Sequence, residues 1–172
     1  MIREKLIKLD QKIMVLINVK LRCRPLDLLM PIITYLGSSE FSAVLALSSL
    51  IVTGYGRDSY GLKLTLTLIL SGILTQVIKR TVNRLRPFLI MKELHIKKIG
   101  IDDFSFPSGH TTAAFSMAVM SLLFYPHLTI PSLILALLTG ISRVYLGVHF
   151  PTDVAMGAII GSSASLLIYY FL

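Results

Sequence analysis

The feature that most constrains this fold is a series of long apolar segments separated by short polar breaks. The clearest segment, Leu62 to Ile78, is long enough to predict a membrane-spanning helix. Of the 172 residues, 54% are hydrophobic, and the mean hydropathy of +0.75 is far too high for an ordinary soluble domain of this size. The sequence therefore predicts an integral membrane protein.

The apolar segments predict six helices in one all-α domain. They are Pro25 to Leu36, Phe41 to Tyr55, Leu62 to Ile78, Thr111 to Phe124, Ile130 to Tyr145 and Val154 to Leu172. The first is short, since a span needs roughly 20 residues, and we interpret it as a short or tilted helix. No repeat or low-complexity linker separates the segments, so residues 25–172 are expected to form a six-helix bundle within a single domain, 1–172.

Residues 1–24 predict an amphipathic helix that lies on a membrane face. Apolar residues alternate there with Lys and Arg at roughly helical spacing. The net charge of +8 then favours contact with anionic lipid headgroups or phosphate substrates, and nothing in the sequence resembles a nucleic-acid module. The single cysteine, Cys23, excludes an internal disulfide, and neither a CxxC pair nor an HExxH motif indicates a metal or other cofactor.

A turn at Pro107-Ser108-Gly109-His110 predicts a helix start that can bind an anion. Ser108 is a good N-cap, and Gly109 and His110 fall in the first turn, where free backbone N–H groups and the helix dipole attract negative charge. Taken alone, the tetrapeptide is more typical of a simple helix start with a structural histidine. Two further clusters of basic residues and histidine favour the anion site.

The first of these clusters ends the third helix. Lys79 and Arg86 are seven residues apart, which predicts two turns of one helix with both cations on one face, and Pro87 is expected to end that helix. Two such cations can clamp a phosphate. Arg80 and Arg84 are instead interpreted as residues that extend to the membrane boundary.

The polar loop from 88 to 105 carries an acidic pair, Asp102-Asp103. Two adjacent carboxylates without further ligands at a recognised spacing are poor evidence for a cation site, so we interpret them as solvated loop residues. His95 and His127 have no neighbour at ligand spacing and receive the same interpretation.

The second cluster runs from Ser142 to Asp153. Pro151 suits the first position of a helix, which places Asp153 in its first turn and His149 just outside it. From there the carboxylate can reach back to the imidazole, fix its tautomer and leave the other ring nitrogen free as a nucleophile or base. Arg143 points into the same region, and charges kept at membrane depth usually have a function.

Together these motifs resemble the signature of the phosphatidic acid phosphatase type 2 superfamily. The matching residues are Lys79-x6-Arg86-Pro87, then Pro107-Ser108-Gly109-His110, then Ser142-Arg143-x5-His149-x3-Asp153. The resemblance implies a metal-free, six-helix membrane phosphatase in which His149 attacks phosphorus, Asp153 orients it and His110 protonates the leaving oxygen. It further implies that the phosphoryl oxygens are held by Lys79, Arg86, Ser108, Gly109 and Arg143.

A count of Lys and Arg residues predicts on which side of the membrane the active site lies. If both chain termini lie in the cytoplasm, the 79–110 loop and the 143–153 turn lie together on the opposite side of the membrane. Nine Lys and Arg are then on the cytoplasmic side and eight on the other side, and three of those eight are expected to bind substrate. That distribution favours an active site on the extracytoplasmic side of a bacterial cell membrane.

A site at the membrane surface favours a lipid phosphate as substrate. The resemblance makes undecaprenyl diphosphate and phosphatidylglycerol phosphate the leading candidates, with phosphatidic acid as a third, and it leaves the oligomeric state open. One alternative is a transporter or channel that binds an anion in passage. Another is a vanadate-dependent haloperoxidase, which shares the signature, although those enzymes look like larger soluble proteins.

Overall fold

The fold is known from a computed structural model that describes residues 2–97, 102 and 104–172, with the side chains of Ile2 and Arg3 left out. Asp103 and Lys98 therefore lie outside the described residues. The described residues are mostly helical and contain no strands. Its α-helices are α1 (Ile2–Val15), α2 (Arg24–Tyr35), α3 (Ser39–Thr53), α4 (Tyr60–Val82), α5 (Pro87–Ile90), α6 (Gly109–Phe124), α7 (Thr129–Tyr145) and α8 (Pro151–Phe171). A π-helical turn, Leu16–Lys20, continues α1, and a 3-10 turn, Pro126–Leu128, precedes α7.

The helices turn apolar side chains outward and small polar ones inward. Ile51 and Val52 on α3 are 79% and 82% exposed, as expected of side chains that face lipid. Inside, Ser116 of α6 hydrogen-bonds Ser71 of α4 at 3.0 Å, and the Ser165 hydroxyl donates to the Ser116 carbonyl at 2.9 Å. Small and hydroxyl-bearing residues at helix contacts are typical of membrane bundles, where they allow close approach and satisfy polar groups.

Within the described residues, three helical segments are long and apolar enough to cross a membrane: Tyr60–Ile90, Pro126–Tyr145 and Pro151–Phe171. The pair α2 and α3 passes the same test only when taken together, and α6 is a shorter apolar helix. The prediction of an all-helical membrane protein is confirmed. The count of six spanning helices is not confirmed, because the described residues contain three such segments, or four if α2 and α3, which are bent by 47° at their junction, form one span.

Contacts along the chain show which end of the bundle each segment occupies. Asp10 of α1 accepts a hydrogen bond from the Thr152 backbone N–H at the start of α8, at 3.0 Å. The end of α8 lies at the opposite end of the bundle, where Arg57 Nε donates to the Leu172 carbonyl. Since α8 has 21 residues, about 30 Å of helix separates the two ends.

The expectation that residues 1–24 lie opposite the three motifs is therefore wrong. Helix α1 packs at the same end as Arg84 and Thr152, and the Asn18 side chain donates to the carbonyls of His95 and Tyr145 at 2.8 and 2.6 Å. Buried apolar residues of the same region, Met14, Met91, Leu94, Val144 and Phe150, form a small core beneath α1. Leu6 and Leu9 of this helix are about half exposed and Met14 is buried, while the location of the helix on a membrane face stays a prediction.

Candidate active site

The three sequence motifs meet at one cavity of about 730 Å³. Five of the predicted site residues line it, namely Lys79, Arg86, Gly109, His110 and His149, and Asp102 lines it with them. The other three predicted residues, Ser108, Arg143 and Asp153, are buried behind this lining. Two imidazoles, two cations and a helix start thus share one space, although their sequence positions span more than seventy residues.

His149 lies in the short connection between α7 and α8 and is 2% exposed. Its Nδ1 is 2.6 Å from the Ser105 carbonyl oxygen, which can only accept, so Nδ1 carries the proton and donates. The other nitrogen, Nε2, lies 3.4 Å from Arg86 Nη1. The tautomer that leaves Nε2 with its lone pair is therefore selected by a backbone carbonyl that the sequence analysis did not identify.

The pKa of the His149 imidazole is held well below its usual value. Burial is the main cause, and the charges of Arg143, Arg86 and Lys79 lower it further, against a smaller opposite effect of the Ser105 hydrogen bond. A lowered pKa keeps the ring neutral near pH 7. Neutral Nε2 is the form that can act as a nucleophile.

Asp153 occupies the first turn of α8, as predicted, with Pro151 at the first helical position. One carboxylate oxygen, Oδ2, accepts from the Phe150 backbone N–H at 2.7 Å and lies 3.7 Å from His149 Nδ1. The carboxylate therefore reaches the imidazole at ion-pair distance, while Ser105 makes the hydrogen bond that was predicted for Asp153.

The prediction that Lys79 and Arg86 lie two turns apart on one helix is wrong. Helix α4 ends at Val82, where Asn83 adopts a left-handed conformation with φ of 49°, and Arg86 follows the helix as the residue before α5. Both cations nevertheless reach the cavity. A left-handed Asn ends a helix much as glycine does, and this break turns Arg86 back toward the end of α4.

Asp102 joins these two cations. Lys79 Nζ donates to its two carboxylate oxygens at 2.7 and 2.6 Å, and Arg86 Nη2 donates to Oδ1 at 2.6 Å. Partial burial raises the pKa of Asp102, but the hydrogen bonds and charges of Lys79 and Arg86 outweigh it and hold that pKa below its usual value. Asp102 is an exposed loop residue, as expected, with 45% of its side chain accessible. Its carboxylate also pairs with Lys79 and Arg86 and lines the cavity, which the sequence analysis did not predict.

The start of α6 forms as predicted, with Ser108 as N-cap and Gly109 and His110 in the first turn. Ser108 Oγ accepts from the Thr111 backbone N–H, and the Ser108 N–H donates to the Asp153 carbonyl at 3.0 Å. This second bond ties the start of α6 to the start of α8. The positive ends of both helix dipoles consequently point toward the same region.

Of the three other arginines in the motifs, two are held by polar partners and one is exposed. Arg143 is fully buried, and its Nη1 donates to Thr34 Oγ1 of α2 at 2.9 Å. Arg80 is exposed, in agreement with its interpretation as a boundary residue. Arg84 is not a boundary residue, because its Nη1 donates to Asp153 Oδ1 at 2.5 Å.

No candidate metal centre is found in the part of the chain that the structure describes, where no three His, Cys, Asp or Glu residues cluster. His127 lies in an exposed turn, and His95 contributes its backbone to the contact with Asn18. Neither histidine joins the cavity lining.

Residues 60–172 match the family model of the PAP2 superfamily, and this range contains all three motifs. The chain belongs to the PAP2 superfamily. The resemblance inferred from the motifs is thereby confirmed, and the cavity described above lies where the family's signature residues meet.

Individual relatives agree with this assignment. The undecaprenyl-diphosphatase of Sulfolobus acidocaldarius is 36% identical over 62% of this chain and 52% of its own length. The crystal structure of Aquifex aeolicus LpxE has a TM-score of 0.83 at 29% identity and covers 95% of this chain and 96% of that one. A PAP2-type phosphatidylglycerolphosphate phosphatase from Bacillus subtilis has a TM-score of 0.81 at 30% identity, covering 97% and 86%. This PAP2 chain spans about half the length of the curated relative.

Proposed function

We propose that this protein is a metal-independent lipid phosphatase that works through a phosphohistidine. The observation that carries the proposal is the shared cavity, in which His149 and His110 stand with Lys79 and Arg86 at one end of the helix bundle. Phosphoryl transfer spreads negative charge over the equatorial oxygens, so fixed cations and amides supply much of the catalysis. Histidines supply the nucleophile and the acid.

In the proposed reaction, the lone pair of His149 Nε2 attacks phosphorus as the bond from phosphorus to the leaving oxygen breaks. His110 acts in its imidazolium form: it gives one proton to that oxygen and becomes neutral, and the dephosphorylated lipid leaves. Water then attacks the phosphohistidine, His110 takes a proton from the water, and inorganic phosphate is released. Asp153 at 3.7 Å stabilises the positive charge on the His149 ring while the intermediate exists.

The phosphoryl oxygens are proposed to be held by Lys79, Arg86, Arg143, Ser108 and the Gly109 amide. Lys79 and Arg86 already bind an anionic group, because the Asp102 carboxylate occupies them. This contact shows that the two side chains can converge on one pair of oxygens. The substrate phosphate would take over the same donors.

A lipid is the favoured substrate class because the cavity continues between α3 and α4. Beyond His110 it is lined by small and apolar side chains, which include Ala43, Ala46, Leu47 and Leu68. An acyl or prenyl chain fits such a surface while its phosphate stays at the histidines. The names of the relatives support undecaprenyl diphosphate and phosphatidylglycerol phosphate as leading candidates, with phosphatidic acid as a third.

The proposed membrane arrangement has five crossings in one domain, 1–172. Helices α4, α7 and α8 and the bent pair of α2 and α3 are long and apolar enough to cross, and we infer that the shorter apolar helix α6 crosses with them. This arrangement places α1 beside the site and Leu172 on the other side.

The position of α1 at the site end supports a proposal for which end of the bundle faces the cytoplasm. Only Arg57 and Lys63 lie at the end away from the site, and the other described cations lie at the site end: Lys5, Lys8, Lys12, Lys20, Arg22, Arg24, Lys79, Arg80, Arg84, Arg86, Lys92, Lys97 and Arg143. The count that favoured an extracytoplasmic site no longer holds. The positive-inside rule now favours a site that faces the cytoplasm, even after the substrate-binding cations are set aside.

The test is phosphate release by the purified protein in detergent, with EDTA present, from a panel of lipid mono- and diphosphates. We expect release from at least one lipid, loss of at least about 10³-fold in kcat for His149→Ala, and full activity of His127→Ala, whose exposed imidazole lies outside the cavity. Unchanged turnover by His149→Ala would contradict the phosphohistidine mechanism. No phosphate release from any lipid of the panel would contradict the enzyme and favour an anion transporter. Activity abolished by EDTA would contradict the metal-free mechanism.

A further inference from the structure

Helix α1 is exposed along most of its length, yet it buries one carboxylate. Leu6 and Leu9 are about half exposed, whereas Asp10 is 3% exposed. A buried carboxylate is costly unless it is paired and hydrogen-bonded. The burial of Asp10 on an otherwise exposed helix therefore directs attention to the groups that bind its carboxylate.

The partners of Asp10 lie at the start of α8 and at the end of α4. Oδ1 accepts from the Thr152 backbone N–H at 3.0 Å, and Oδ2 accepts from the Thr152 hydroxyl at 2.5 Å. Arg84 Nη2 donates to Oδ2 at 2.8 Å. Three donors therefore satisfy the carboxylate, and one of them is a cation.

The same guanidinium binds a second carboxylate. Arg84 Nη1 donates to Asp153 Oδ1 at 2.5 Å and to Thr152 Oγ1 at 2.7 Å, and the group lies 4.2 Å from the centroid of the Phe150 ring. A planar guanidinium with donors on both arms suits this bridge, which a lysine ammonium could not reproduce with the same geometry. Asp10 and the Phe150 ring together fix the orientation of Arg84.

We propose that Asp10 and Arg84 are positioning residues for the reaction and act on His149 through the carboxylate of Asp153. Arg84 holds Oδ1 of Asp153, so the other oxygen, Oδ2, stays at the Phe150 N–H and 3.7 Å from His149 Nδ1. The amino-terminal helix thereby contributes to the geometry of the nucleophile. The inference rests on the proposed function, since it requires that Asp153 serve His149 in phosphoryl transfer.

A purely structural role would use the same contacts. A carboxylate near the first turn of α8 stabilises that helix start, and the ion pair with Arg84 anchors α1 to the bundle. Kinetics distinguish the two roles, because an anchor alters stability while a positioning residue alters the rate of chemistry in a folded enzyme.

The experiment is a double-mutant cycle on full-length protein in detergent, with kcat and KM measured for the best lipid phosphate found in the panel. Asp10→Asn and Arg84→Lys are each expected to lower kcat by about 10- to 100-fold with little change in KM. Asp153→Asn is expected to lower kcat at least as far. Adding Asp10→Asn to Asp153→Asn should then cost nothing more, because the path from Asp10 to His149 is already broken.

Asp27→Asn is the matched control, since Asp27 also pairs with an arginine, Arg22, at 2.9 Å and lies at the same end of the bundle. It should keep the original kcat. Rates are compared at a temperature at which each variant has the same helical circular dichroism spectrum as the original protein. If Asp10→Asn does not fold, Arg84→Lys alone tests the inference. Unchanged kcat in folded Asp10→Asn or Arg84→Lys, or losses that multiply in the double variant, would overturn the inference. Unchanged turnover in Asp153→Asn and His149→Ala would instead overturn the proposed function.

Discussion

The carboxylate of Asp102 binds Lys79 and Arg86, the two cations that the proposed mechanism assigns to the substrate phosphate. Lys79 donates to both of its oxygens, and the Arg86 Nε also donates to its backbone carbonyl at 2.8 Å. The lowered pKa keeps the carboxylate ionised at neutral pH. A phosphate group must therefore displace Asp102 before it can use Lys79 and Arg86 in full.

Replacing Asp102 with Asn should strengthen substrate binding. The neutral amide competes less well for Lys79 and Arg86, so KM is expected to fall by about 2- to 5-fold, the range of a partly exposed ion pair. Vanadate, a phosphate mimic, should inhibit at correspondingly lower concentration. Asp58→Asn, the same change at an exposed carboxylate at the far end, is the control. A higher KM in Asp102→Asn would show that the carboxylate helps to bind the substrate.

At the scale of elements, the site depends on how closely α8 approaches α6. A methyl group at Gly157 would lie 2.7 Å from the Ser108 carbonyl, and one at Gly161 would collide with the Thr112 carbonyl. The two glycines are four residues apart, the spacing that lets helix backbones meet in membranes. Their contact holds the start of α6, with Ser108 and His110, against the start of α8.

Gly161→Ala is expected to push the two helices apart and to destabilise the protein by about 1–3 kcal/mol, as overpacking does. The measurement is the midpoint of thermal unfolding in detergent. Gly72→Ala on α4 is the matched control, because no atom lies within 4 Å of the added methyl, and its midpoint should not fall. Equal midpoints for the two variants would contradict the proposed importance of this contact.

For the whole molecule, the position of α1 determines how the cations are distributed between the two ends of the bundle. Residues that anchor α1 and α2, such as Asn18 and Tyr145, lie at the site end, and Leu172 lies at the other. The cations of α1 therefore add to those around the site. This concentration of positive charge is the basis for proposing a cytoplasmic site.

Cys23, the only cysteine in the sequence, is exposed and lies at the site end. Its labelling therefore shows on which side of the membrane the site lies. In intact spheroplasts a membrane-impermeant maleimide should leave Cys23 unlabelled, and lysis should allow labelling. The control is Asp58→Cys in a Cys23→Ser background, which should be labelled in intact spheroplasts. The reverse pattern would place the site outside and show that the cations there do not set the orientation.

The apolar segments and the motifs were enough to predict the helices and five residues of the cavity lining. Hydropathy over ten to twenty residues is a local property, and all six predicted apolar helices appear as α2, α3, α4, α6, α7 and α8. The N-cap at Ser108 and the first turn with Asp153 also follow from local residue types. Motif spacing predicted five residues that do line one cavity.

Only the tertiary structure decided the orientation of the nucleophile, the direction of α2 and the position of α1. The Ser105 carbonyl that orients His149 is a backbone group, which every residue has, so no side chain marks it in the sequence. The contacts of Asp10, Arg84 and Asp102 join residues distant in the chain, and periodicity carries no information about such pairs. A short apolar helix such as α2 can cross or turn back, and its packing against α7 through Thr34 and Arg143 settles its direction.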